Sequence, residues 1–111
     1  MDAFEIADLI AAQQRPGEHT YDDVLTKDLL SLGVAIWPAG GEDLQQPHSE
    51  DEVYVVMSGA GQIRVADEDR AVGSGSIVYV ATGVQHRFHS ITQDLHVLVF
   101  WAPPYRSRGG D

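Results

Sequence analysis

The sequence predicts an all-β fold, a small sandwich or barrel, with one short helix in front of it. A chain of 111 residues has the length of one domain. Runs rich in Val, Ile, Tyr and Phe recur at a spacing of about 8–12 residues, which is typical of sandwiches and barrels. Clusters of Gly, Pro, Ser and Asp separate these runs. We therefore expect a single domain over residues 1–111.

The helix is predicted over about residues 2–14. Phe4, Ile6 and Leu9 recur near helical spacing. Asp2 can cap the first turn, and Glu5 three residues later completes a capping-box pattern. The following Arg-Pro-Gly sequence ends the pattern, because proline and glycine interrupt helices.

The β pattern extends over about residues 29–101. Strands are predicted at 29–37, 52–57, 62–66, 76–80, 86–91 and 95–101. Residues 67–69 are three acidic residues in a predicted turn, and 103–111 form a predicted tail. His19 lies in the linker between helix and barrel and is assigned no role.

The charge balance excludes two classes of partner. Lys and Arg total 7 against 17 Asp and Glu, which gives a net charge of −10. Nucleic acids and anionic membranes need a positive surface, so we expect neither as a partner. The chain has no cysteine, which excludes disulfides, thiolate metal ligands and cysteine nucleophiles. The lack of cysteine and of a long apolar run fits a cytoplasmic location.

Two segments carry polar residues at specific spacings. In the first segment, the spaced residues are Gly40, Gln46, His48, Glu52 and Gly59. In the second, the spaced residues are Gly75, Ala81, Gly83, His86 and Ser90. The spacings in these two segments resemble the two signature motifs of the cupin superfamily, and the first segment matches its motif without a gap. This resemblance covers about residues 29–101 and implies a jelly-roll barrel, also called a double-stranded β-helix.

The resemblance implies a metal site formed by His48, Glu52 and His86. Two His and one carboxylate with open positions suit Fe(II), and Zn, Mn, Ni or Co could bind the same set. Gln46 stands where the family has its first His, and a carboxamide is a weaker ligand than imidazole. In a second alignment His48 is that first His and Glu50 replaces the next one. Gln46 and Glu50 are therefore alternative fourth ligands.

The alternation of side chains along strands predicts which residues line a pocket. If Glu52 and His86 point inward, then Tyr54 and Val56 lie beside the first, and Phe88 and Ser90 beside the second. His96 is a further candidate for the cavity wall, although the favoured interpretation is a hydrogen-bonded polar residue outside the cavity. Ordinary core packing explains Tyr54 and Phe88 equally well.

These features predict a small metal-binding cupin that binds an organic molecule, with dioxygenase and isomerase chemistry both open. The alternative is a non-catalytic cupin that binds or senses a small ligand without metal, since fold alone does not decide function. The family resemblance also implies a homodimer. The N-terminal helix and the strand at 95–101 are the candidate contacts.

Overall fold

The computed structural model describes residues 1–13, 15–43 and 47–106. A short helix, α1, is followed by strands that are all antiparallel to their partners. The elements are α1 (Ile6–Ala11), β1 (Thr20–Thr26), β2 (Ser31–Trp37), β3 (Asp51–Val65), β4 (Glu68–Gly73), β5 (Ile77–Val80) and β6 (His86–Ala102). The predicted all-β class is confirmed.

The two longest strands, β3 and β6, pair along nearly their whole length. Residues 51–56 of β3 pair with 97–102 of β6, and residues 62–65 pair with 86–89. The register shifts between these two stretches, so the β3–β6 ribbon has two halves. The first half is extended by β5 beside β3 and by β2 and β1 beside β6, while β4 extends the second half.

The hydrophobic core lies between the two halves of the ribbon. Val97 and Val99 from the first half and Ile63 and Phe88 from the second belong to one cluster of buried side chains. Alternate residues of β6 are buried from Leu95 to Trp101, as expected for a strand with one interior face. The ribbon therefore folds over and buries the inner faces of both its halves.

The register shift in β3 depends on a glycine. Gly59 has a φ of 102°, and a Cβ added to it would overlap the backbone carbonyl oxygen of Asp94 in β6. Glycine is the residue that combines a positive φ with so close an approach of two backbones. The predicted turn at this position is thus an irregularity within one continuous strand.

The structure corrects several predicted boundaries. The helix covers Ile6–Ala11 rather than residues 2–14, and no side chain caps its first turn; Asp2 instead pairs with Lys27 at 3.0 Å. The barrel begins at Thr20, because β1 pairs with β2 although its sequence contains two adjacent Asp. The predicted acidic turn also contributes Glu68 and Asp69 to β4. Pairing with a neighbouring strand outweighs the low β propensity of these acidic residues.

In the part of the chain that the structure describes, no helix is long and apolar enough to span a bilayer.

Candidate metal centre

The two motif segments meet because their loops are hydrogen-bonded to each other. The loop before β3 accepts a hydrogen bond at the carbonyl oxygen of His48 from the N–H of Gly83, at 2.8 Å. The side chain of Asp51 accepts hydrogen bonds from the N–H and the hydroxyl of Thr82, at 2.9 and 3.0 Å. These bonds hold His48 close to the beginning of β6, where His86 lies.

The side chain of Asp43 forms a second contact between the two motif segments, which the sequence did not predict. Its buried carboxylate accepts the backbone N–H of Phe88 at 2.9 Å, across 45 positions of sequence. A buried carboxylate satisfied by a backbone N–H fixes the loop between β2 and β3 against β6. The sequence offers no local signal for this contact, because Asp43 lies in an acidic, glycine-rich loop.

His48, Glu52 and His86 come together at the place that these loops define. All three residues are buried, and they offer ligand atoms that lie within 4.8 Å of one another. Oε1 of Glu52 is 3.0 Å from Nε2 of His86 and 4.0 Å from Nε2 of His48. Glu52 is on β3 and His86 starts β6, whereas His48 precedes β3 in a loop.

The hydrogen bonds of His86 leave its Nε2 as a ligand atom. Nδ1 is 2.8 Å from the carbonyl oxygen of Val84, which can only accept, so Nδ1 carries a hydrogen. In the neutral ring Nε2 then has a lone pair and faces the carboxylate of Glu52, which also only accepts. In this neutral state the contact at 3.0 Å joins two acceptors, whereas a second proton on the ring or a bound cation between the two groups makes it favourable. Such a backbone carbonyl behind the ring is how metal-binding His are commonly oriented.

Glu52 completes the case for a bound cation. Its side chain is 1% exposed, and among the described residues its Oε2 has no hydrogen-bond partner. A buried carboxylate is costly unless a proton, a hydrogen bond or a cation compensates it. The residues present therefore fit a divalent metal ion held by two imidazoles and one carboxylate.

The pKa of His86 lies above its usual value in the metal-free site. Burial lowers this pKa, but the carboxylate of Glu52, the carbonyl of Val84 and the charge of Asp43 together raise it by more. Without a metal, a proton on His86 supplies the positive charge that Glu52 requires.

Glu50 has a different environment from these three residues. It is 1% exposed, and its Oε2 accepts the backbone N–H of Arg106 at 2.7 Å. Among the described residues, Glu50 is not in the group of candidate ligands within 4.8 Å of one another. Gln46, the other predicted fourth ligand, lies outside the described residues.

These positions lead to a prediction about the fourth ligand. We expect Glu50→Ala to leave metal affinity within about 2-fold and to destabilise the fold by about 1 kcal/mol, because Arg106 loses an acceptor. Gln46→His should tighten zinc binding about 10-fold, because an imidazole is the stronger ligand. Zinc titrations and urea denaturation measure these effects. Loss of affinity in Glu50→Ala with no gain in Gln46→His would favour the second alignment.

A cavity of about 660 Å³ lies beside His48. Its walls include an aromatic group formed by Tyr21, Trp37, Tyr54, Trp101 and Tyr105. Trp101 and Tyr105 stack with ring centroids 4.2 Å apart, and the His48 ring meets Trp101 edge-on at 4.9 Å. Such a concave space, with aromatic walls and a few polar groups, is typical of a small-molecule site.

The predicted pocket residues have different locations. Tyr54 lines this cavity, and Val56 and Phe88 are buried in the core cluster. Ser90 is exposed, because its φ of 49° interrupts the alternation of β6 and Ile91 becomes the buried residue. His96 lies between the buried Leu95 and Val97, so its side chain is on the outer face of the sheet. The predicted interior position of Ser90 is wrong, and His96 is not among the residues that line the cavity.

His19 was missed as a cavity residue. It stacks on Trp37 with ring centroids 4.8 Å apart, and its Nδ1 lies 2.8 Å from the carbonyl oxygen of Ile36. The pairing of β1 with β2 places it there, and that pairing has no clear signature in the acidic sequence of β1.

The fold and the site together define the class of this protein: a small antiparallel β-barrel that holds a candidate metal centre of two His and one Glu. The cupin domain model matches residues 33–103, so the chain belongs to the cupin family, as the motifs predicted. An uncharacterised protein of Streptomyces coelicolor is 42% identical over 104 residues, covering 94% of this chain and 98% of that protein.

Solved structures show the same fold. A cupin with a double-stranded β-helix fold from Methanocaldococcus jannaschii has a TM-score of 0.71 at 16% identity, covering 82% of this chain and 85% of that one. The DMSP lyase DddQ from Ruegeria pomeroyi has a TM-score of 0.71 at 21% identity. That match covers 76% of this chain but less than half, 46%, of the lyase. The predicted jelly-roll barrel is confirmed.

Proposed function

We propose that this protein is a small metal-binding cupin that holds an organic molecule beside a divalent transition metal. His48, Glu52 and His86 would hold the ion, with Fe, Zn, Mn, Ni and Co as candidates. The observation that carries the proposal is the convergence of two buried imidazoles and one buried carboxylate, whose ligand atoms lie within 4.8 Å of one another, while Oε2 of Glu52 has no hydrogen-bond partner among the described residues. A bound cation resolves that arrangement.

The metal would supply Lewis acidity and, for a redox-active ion, dioxygen chemistry. The protein's own contribution is to orient the ligands and to shape the space beside them. Val84 fixes the ring of His86, Gly83 fixes the loop of His48, and the aromatic side chains form walls of the adjoining cavity. A dioxygenase and an isomerase both fit this site. The similarity to a lyase adds a further reaction type on the same fold.

Elemental analysis of protein purified without added metal tests the proposal directly. We expect about one equivalent of a transition metal per chain, lost on treatment with a chelator and restored by dialysis against the same ion. A protein that neither retains nor takes up any of the five ions would contradict the proposal. It would then be a metal-free binding module.

The pH dependence of stability should change sign when metal is added. In the metal-free protein the raised pKa of His86 contributes stability that is fully present below its ordinary value of 6.5. That contribution is lost as pH rises through the raised pKa. Metal binding needs neutral imidazoles, so metal affinity increases over the same interval. The increase in Tm on adding zinc should therefore grow from about pH 6 to about pH 8.

Thermal denaturation with and without zinc, at constant ionic strength, measures this effect. His86→Ala should remove the dependence on added zinc, whereas His89→Ala should retain it, because His89 pairs with Asp69 away from the site. A zinc-induced shift in Tm that is flat across this interval would contradict ligation by His86.

We also propose that the protein is a homodimer through the outer face of its larger sheet half. Directly paired residues project from the same face of a sheet. Val53 pairs with Tyr79 and with Phe100, and Val55 pairs with Ile77. Ile77 is 66% exposed, Tyr79 58% and Phe100 38%, so this apolar face is open in one chain. Exposed apolar patches of this kind commonly mark protein interfaces.

Ile77→Glu should convert the dimer to a monomer in light scattering, because two introduced carboxylates would meet across the interface. Ala71→Glu on β4 adds the same charge elsewhere and should leave the dimer intact. A monomeric wild-type protein would exclude this interface. A cytoplasmic location belongs to the same proposal and is supported by the lack of cysteine.

A further inference from the structure

A chain of hydrogen bonds in the lining of the cavity beside His48 ends at the exposed Asp23, and we refer to this exposed end as the mouth of the cavity. The indole N–H of Trp101 donates to the hydroxyl oxygen of Tyr21 at 2.8 Å. The Tyr21 hydroxyl in turn donates to Oδ1 of Asp23 at 2.9 Å. All three residues line the cavity. The chain thus leads from the aromatic wall to a carboxylate at the exposed edge of β1.

A glycine in the adjacent strand β2 makes room for the Tyr21 ring. A side chain on Gly33 of β2 would overlap the Tyr21 ring, so the ring lies where only glycine leaves room. Tyr21 also packs edge-on against Tyr105, with ring centroids 5.5 Å apart. Burial and the neighbouring Asp23 raise the pKa of Tyr21, which keeps its hydroxyl protonated as a donor. The phenol therefore holds the Asp23 carboxylate in one orientation.

The polar side chains that residues 19–23 leave available to a ligand in this cavity are acceptors. Asp23 has one oxygen, Oδ2, beyond the bond to Tyr21, and Asp22 adds a second carboxylate to the lining. His19 donates through Nδ1 to Ile36, so the neutral ring presents Nε2 as an acceptor. The donors of Tyr21 and Trp101 are used within the hydrogen-bond chain.

The formal charges of the cavity lining are negative on balance. The formally charged residues of the described lining are Asp22, Asp23 and Arg106. The guanidinium of Arg106 lies over the Tyr105 ring, 5.0 Å from its centroid. No described cation forms an ion pair with Asp23 within 4.0 Å. With a net charge of −10 on the whole chain, this end of the cavity attracts positive charge.

We propose that the cavity binds a molecule with a protonated amine at one end, seated on Asp23, and an oxygen-donor group at the other end, beside His48. The inference rests on the proposed metal site for the inner end only. An ammonium group offers three donors to the acceptors at the mouth, and a charge-assisted hydrogen bond to Asp23 gives the strongest contact. The aromatic walls accommodate the apolar middle of the molecule.

The test uses a length series of ω-aminocarboxylates as probes. The corresponding unsubstituted carboxylates and dicarboxylates serve as controls of the same length. Isothermal titration is carried out on both zinc-loaded and metal-free protein. We expect the best aminocarboxylate to bind at least about 10-fold more tightly than its unsubstituted counterpart, which corresponds to about 1.4 kcal/mol. This ratio should persist without metal, whereas the affinity of all the carboxylates should fall.

Variants assign the preference to Asp23. Asp23→Asn keeps an acceptor for Tyr21 but removes the charge, and should reduce the ratio to about 1. Asp67→Asn makes the same change of charge in the turn between β3 and β4 and should leave the ratio unaltered. Tyr21→Phe should lower the ratio in part, because Asp23 is then no longer oriented. Zinc affinity should be unchanged in all three variants.

Three outcomes would overturn the inference, and a fourth concerns only the proposed metal site. Equal binding of the amino and unsubstituted series, or tighter binding of the dicarboxylates through Arg106, would overturn the inference. A ratio retained in Asp23→Asn would overturn it as well. Failure of the wild-type protein to take up zinc would contradict the proposed metal site, while an ammonium preference in the metal-free protein would still support this inference.

Discussion

Replacing His86 by alanine should lower the affinity for a divalent transition metal by at least about 100-fold, or about 2.8 kcal/mol. His86 provides one of the three proposed ligands, and its Nε2 lies 3.0 Å from the carboxylate of Glu52. Two remaining ligands hold an ion much less tightly, because each lost metal–nitrogen bond is replaced by a bond to water. Titration with zinc, followed by isothermal calorimetry, measures the effect.

The matched control for this variant is His89→Ala. His89 is on the same strand but pairs with Asp69 at 2.7 Å, and both residues are outside the candidate metal centre. It should bind zinc with wild-type affinity. The far-ultraviolet circular dichroism of both variants should match the wild type, because apolar packing maintains the barrel. Unchanged zinc affinity in a folded His86→Ala protein would contradict the proposed ligand set.

Replacing Gly59 by alanine should destabilise the protein by more than about 3 kcal/mol. Alanine would have to adopt a φ of 102°, and its Cβ would overlap the carbonyl oxygen of Asp94. Because that oxygen belongs to the backbone of β6, relief requires the whole β3–β6 ribbon to shift. Urea denaturation measures the change in the free energy of unfolding.

Gly75→Ala separates the two causes of this destabilisation. Gly75 has a similar φ of 90°, but no atom lies within 4 Å of the position of its Cβ. This variant should lose only the conformational contribution, about 1–2 kcal/mol. If both variants lost the same free energy, close approach of the two strands would not be the reason for glycine at position 59.

The sequence by itself determined the fold class and the family, and it predicted the three residues of the candidate metal centre. Runs of β-branched residues between turn residues are a local signal, since each strand needs one apolar face whichever strand it pairs with. The spacing of His48, Glu52 and His86 carried the family resemblance. The structure brings these three side chains together, within 4.8 Å.

The tertiary structure alone decided which strands are continuous and what surrounds the site. Sequence reasoning divided β3 and β6 at their turn-like residues, but pairing along the whole ribbon makes each a single strand. β1 was missed because two adjacent Asp interrupt its apolar pattern, although it pairs with the next strand along the chain, β2.

The surroundings of the centre depend on contacts between residues that are distant in sequence. Asp43, 45 positions from Phe88 along the chain, fastens the loop of the first motif to β6. Tyr21 and Trp101, 80 positions apart, form the hydrogen bond that holds Asp23 at the cavity mouth. Periodicity reports which face of a strand is buried, but it contains no information about which distant side chain covers that face. Local pattern therefore predicted the candidate metal centre, whereas the packing of distant strands decided the walls around it.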